Sequence, residues 1–88
     1  MKVSELTTSQ LPSILAQAMR VKNVPELNWN LCGKLIEKEK ISLVRSYSRW
    51  TAFYVGPRSD SKEAEQTADT PIEAVVKCFI EKKLGSEI

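Results

Sequence analysis

The stretch TPIEAVVKCFIEKKLG, Thr70 to Gly85, constrains the fold more than any other part of the chain. Thr70 and Glu73 have capping-box spacing, and Pro71 takes the first helical position, where its missing N–H costs nothing. Ile72, Val75, Val76, Phe79, Ile80 and Leu84 recur at helical spacing, with the bulky ones on one stripe. Lys82 and Lys83 fall at the negative end of the helix dipole, and Gly85 is a natural stop. A helix is therefore predicted from the Thr70 cap to Gly85. Any fold open to this chain must bury its stripe.

The best candidate for what it packs on is ISLVRSYSRWTAFYVG, Ile41 to Gly56, which reads as two strands around a tight turn. With Ser46–Arg49 as the turn, Arg45 faces Trp50, Leu43 faces Ala52 and Ile41 faces Tyr54. Alternation then puts Ile41, Leu43, Trp50, Ala52 and Tyr54 on one face. Ser42, Val44, Thr51, Phe53 and Val55 take the other. The first face is the better core, because Ser42 and Thr51 dilute the second.

Upstream, TTSQLPSILAQAMRV carries Leu11, Ile14, Leu15, Ala18 and Met19 at helical spacing. Thr8 or Ser9 is placed to cap this helix, and Pro25 to end the segment by disfavouring helix at Val24. NWNLCGKLIEKEK suits a short helix capped by Asn28 or Asn30, or an irregular segment, with Gly33 weakening the helix. Gly56 to Asp69 is polar, shows no period and reads as a loop. It is long for so small a domain, and a third strand could be hidden in it. The expected fold class is α+β: two amphipathic helices on one face of a small antiparallel sheet, in the order α, short α or irregular, β, β, α.

Eighty-eight residues form one domain, 1–88, with room for one modest core. The chain has no histidine, which removes Ser-His and Cys-His pairs and the commonest metal ligand. Cys32 and Cys78 are far from Cys-x-x-Cys spacing, so neither a metal nor a cofactor is expected. Two widely spaced cysteines fit free thiols in a reducing cytoplasm better than a disulfide framework. The net charge of +2 is a weak bias, well short of a strongly basic nucleic-acid binder. MKVSELTTSQ has no apolar core of a signal peptide, and no apolar run approaches membrane-spanning length.

Several blocks resemble one family. WNLCGKLIEKEKISL, Trp29 to Leu43, is similar to the Trp…Gly-x-x-Ile-Glu-(Lys/Arg)-Glu-x-Ile segment of the NinX-type family of small phage proteins. RWTAF matches its Trp-x-Ala strand, SELT at Ser4–Thr7 its opening, and Thr70–Gly85 its Thr-Pro-Leu-x-Ala…Cys-(Tyr/Phe)-Val…Leu-Gly ending. Lys34 stands where a proline is common and Val76 where a methionine often sits. The resemblance implies a phage or prophage origin and an accessory role in the host cytoplasm. It brings no catalytic residue with it.

The candidate residues divide by face. Trp50, Tyr54, Ile41, Leu43, Val76, Phe79 and Ile80 are assigned to the core. Val44, Phe53 and Val55 make an outer apolar patch, a candidate for contact with a partner protein or with a second copy in a homodimer, or equally a face that the segment Gly56–Asp69 covers. Arg45, Arg49 and Arg58 cluster near the hairpin and could contact an anion, although surface solubility is the simpler and favoured reading. Glu37 and Glu39 alternate with Lys38 and Lys40, the pattern of a solvated face, and no catalytic pair is visible. The element order also resembles double-stranded-RNA-binding domains. Those meet phosphates with lysines at the start of the last helix, where this chain has Asp69, Thr70, Pro71, Ile72 and Glu73. The expected function is binding to a host or phage protein. Nucleic-acid binding or sequestration of a small anion is the alternative.

Overall fold

The computed structural model describes residues 2–57 and 62–87. A short 3-10 turn, Val3–Glu5, leads into α1 (Leu11–Met19) and α2 (Trp29–Glu39). Three strands follow, β1 (Ser42–Ser46), β2 (Arg49–Val55) and β3 (Lys62–Ala68), and α3 (Pro71–Leu84) completes the chain. The sheet is antiparallel with β2 in the middle. The class is α+β, as expected.

Half of the expected capping box forms at the start of α3, where the Glu73 carboxylate turns to Thr8 and not to the Thr70 amide. Thr70 Oγ1 accepts from the Glu73 amide at 3.3 Å, and the Gly85 amide donates to Glu81 O at 2.8 Å. The Glu73 carboxylate accepts from Thr8 Oγ1, which ties the start of α3 to the turn before α1. Every residue from Ala74 to Ile80 is buried, Lys77 included. A helix covered all round must lie between two layers. One side of α3 packs on β2 and β3, and the other takes α1 and α2. All three helices thus lie on one side of the sheet, with α1 and α2 chiefly against α3. The Lys77 stem runs through this layer, and its ammonium reaches Ser4 O at 3.4 Å.

The hairpin has the expected register, with Leu43 opposite Ala52 and Arg45 opposite Trp50. Its two-residue turn puts Tyr47 in the left-handed region (φ 57°) and in solvent. Ile41 precedes β1 and is buried. The segment read as a loop contains β3. Ala64, Gln66 and Ala68 point inward and alternate with Glu63, Glu65 and Thr67. Small inward side chains suit a strand pressed against α3, where Cys78 Sγ lies 4.0 Å from Ala64 O. The Glu81 carboxylate accepts from the Glu65 amide (2.8 Å) and from Gln66 Nε2 (3.1 Å), which occupies part of the outer edge of β3.

Two helix ends depart from expectation. α1 stops at Met19, well before Pro25, because Arg20 turns left-handed (φ 58°) and the Arg20 and Val21 amides donate back to Ala16 O. Its start is set by Gln10, whose Oε1 accepts from the Thr7 amide, with neither Thr8 nor Ser9 as the cap residue. α2 is a full helix. It is capped by Asn28 Oδ1 accepting from the Leu31 amide at 2.9 Å, and it ends on left-handed Lys40 (φ 59°). The first and last described residues meet: Lys2 bridges Glu87, and the Val3 amide donates to Ser86 O at 2.9 Å. No helix among the described residues is long and apolar enough to cross a membrane.

Candidate functional site

The sequence-derived core residues lie on the helix-facing side. Ile41, Val76, Phe79 and Ile80 are buried, and Leu43, Trp50 and Tyr54 are partly buried against the same cluster. Trp50 and Tyr54 each carry a cation on the ring: Arg45 Cζ lies 5.8 Å from the Trp50 centroid, and Lys82 Nζ 4.1 Å from that of Tyr54. These aromatics support the fold, and each already has a cation against its ring.

The proposed anion cluster does not assemble. Arg45 shares the inner face with Trp50, whereas Arg49 falls on the outer face of β2 and pairs with Asp69 at 3.2 Å. Arg58 lies outside the described residues. The outer apolar patch is present but broken. Val44 and Val55 are 46% and 41% exposed, while Phe53 is half covered, with Lys62 Nζ 4.8 Å from its ring centroid. Ser42, Thr51, Glu65 and Thr67 surround them as cross-strand neighbours.

A better-formed site lies where the three helices converge. A cleft of about 580 Å³ opens between the end of α1, the body of α2 and the end of α3. Ala18, Met19, Leu31, Leu35, Phe79 and Leu84 supply its apolar lining. Arg20, Lys34, Lys38 and Lys83 supply its cations, against the single carboxylate of Glu39. Each arrives there for a local reason. The early stop of α1 carries Arg20 to the margin. The α2 cap at Asn28 sets the phase that puts Leu31, Lys34, Leu35 and Lys38 on one face. The burial of Phe79 in α3 brings Lys83 and Leu84 to the opposite bank.

Electrostatically the cleft is one-sided. The Glu39 side chain is only 13% exposed and accepts from Lys82 Nζ at 2.8 Å, with Lys83 Nζ at 3.3 Å. Hydrogen bonding and attraction from Lys82 and Lys83 outweigh burial and hold its carboxyl below the usual glutamate range. Glu39 therefore belongs to a partly sheltered ion cluster with Lys82 and Lys83 and not to a solvated face. Among the described residues no carboxylate pairs with Arg20, Lys34 or Lys38, so the cleft keeps a net positive rim. Both thiols are buried elsewhere in the core, and desolvation pushes Cys32 up and Cys78 up to about 12. The cleft has no contiguous signature in the sequence because its lining comes from three separate segments. The one local signal was Leu31, Lys34, Leu35 and Lys38 at i, i+3, i+4 and i+7, apolar and cationic on a single face.

A comparison with curated proteins finds no match. The family model described as Bacteriophage P22, NinX matches residues 2–83, nearly the whole span from the 3-10 turn to the end of α3, and the chain belongs to that family of phage proteins.

Proposed function

We propose that this small phage protein is an accessory factor that works by binding a host protein, in the host cytoplasm, with the three-helix cleft as its docking surface. Interference with a host process, as in takeover of the cell or evasion of its defences, is the role such a binder would serve. The observation that carries the reading is the union of an apolar floor with unpaired cations in one concavity. Catalysis is no part of it. Glu39, the cleft's carboxylate, is already engaged by two lysines, and both thiols are buried and held protonated.

A tagged protein passed through host lysate tests this reading beside a Leu84→Trp variant, which adds bulk at the cleft wall from an exposed position without changing its charge. The expected result is one host protein recovered in stoichiometric amount by the wild type and lost with the variant. Recovered nucleic acid, a small molecule released on denaturation, or capture indifferent to Leu84→Trp would each overturn it.

A further inference from the structure

We propose that the segment docking in this cleft is an acidic amphipathic helix of the partner protein. The inference rests on the cleft being the docking surface and adds the chemistry of the occupant.

The lining decides between occupants. Phe79 is the one aromatic among the lining residues, and it is buried, so no open ring waits for a base. Apart from Phe79 the apolar lining is Ala18, Leu31, Leu35, Leu84 and Met19, as in grooves that receive the apolar stripe of a helix. Above the floor, Lys34 and Lys38 stand one helical turn apart on α2, about 6 Å along the axis. Carboxylates at i and i+4 on a partner helix have the same repeat. Arg20 and Lys83 flank them from the other two helices. Those two sit near helix C-termini, where part of their charge offsets the dipole. Lys34, in mid-α2, has no such duty and is exposed without a carboxylate partner. Its charge is available to a ligand. A cleft of about 580 Å³ would take the anchor side chains of such a helix while its acidic flanks stayed on the rim.

The test uses a fluorescein-labelled leucine–glutamate amphipathic peptide of about fifteen residues, near the shortest length at which a helix holds in water. A leucine–lysine peptide of the same pattern is its counterpart. Binding is read by anisotropy against wild type and Lys34→Glu/Lys38→Glu, whose positions are exposed and leave the core untouched. The acidic peptide is expected to bind, to weaken about tenfold or more with the double variant, and to weaken again as salt rises. The basic counterpart is expected not to bind. No saturable binding up to about 100 µM, equal binding of the basic peptide, or indifference to the double substitution overturns the acidic helix. If lysate capture still depends on Leu84 in that case, the cleft stands as a docking surface and only the chemistry assigned to its occupant falls.

Discussion

Glu39, the last residue of α2, and Lys82, in the final turn of α3, meet at 2.8 Å with side chains only 13% and 20% exposed. The Lys82 ammonium also donates to Glu39 O at 3.3 Å and lies over the Tyr54 ring. One lysine thus joins the second helix, the third helix and the central strand beside the cleft. An ion pair this sheltered does more for the geometry of the cleft than for overall stability, since desolvation offsets much of its attraction.

Removing one partner is a different matter. Glu39→Gln leaves two lysines without their carboxylate and should cost about 1–3 kcal/mol in urea unfolding. The pH dependence follows from the lowered carboxyl. Its folded value lies below the unfolded value of about 4.3, so its contribution is complete above that pH. The contribution is lost as pH falls through the folded value. Wild type should therefore lose more stability than Glu39→Gln between about pH 5 and pH 3. Parallel curves would exclude this pair as the source.

Trp50 is only partly buried and bears Arg45 on its ring. Trp50→Ala should cost about 2–3 kcal/mol, below the 3–5 of a fully enclosed aromatic. A change in melting temperature of less than about 2 °C would place the ring outside the packed cluster.

The two left-handed helix ends give a paired test. Lys40→Gly and Arg20→Gly each relieve a side chain at positive φ and should stabilise by about 0.5–1 kcal/mol. Only Arg20 lines the cleft. Arg20→Gly should weaken binding of the acidic peptide while Lys40→Gly leaves it unchanged. Equal effects on binding would remove Arg20 from the site.

Burial pushes the Cys78 thiol up to about 12, so it stays protonated at neutral pH and is a poor nucleophile. Neither thiol should react with a disulfide reagent within minutes in the native protein, and both should react in denaturant. Fast native labelling of either cysteine would contradict its burial.

Self-association through the outer sheet face is also proposed, in a weaker form than the hairpin alone suggests. β3 takes one hairpin edge, and Lys62 lies over Phe53. Light scattering should find a monomer at low micromolar and a dimer only at high micromolar concentration, lost in Phe53→Lys. A dimer that survives Phe53→Lys would rule out this face.

What could be read in the sequence was what local chemistry decides. α3 was legible because cap, proline, stripe, terminal lysines and glycine all agree. The hairpin register was legible because one turn placement sorts its apolar residues. β3 was hidden because its buried positions are Ala64, Gln66 and Ala68, too small or polar to signal a strand. The end of α1 was missed because Arg20 adopts a backbone conformation usually left to glycine, while Pro25 offered a stronger stop further on. The cleft was invisible for a third reason. Leu31 and Lys34 fall in a segment that reads as a short helix or irregular, and nothing local shows that α1 and α3 close a cleft beside them.

The bridge between Lys2 and Glu87 brings the two ends of the fold to one corner of the molecule. In effect the chain is a ring with a single cut, and the position of that cut is open to change. A short linker from Glu87 to Lys2, with new ends opened at the exposed Tyr47–Ser48 turn, should give a circular permutant that keeps every helix and strand intact. By the same geometry the unpermuted domain could be spliced into a surface loop of another protein, entering and leaving at nearly one point.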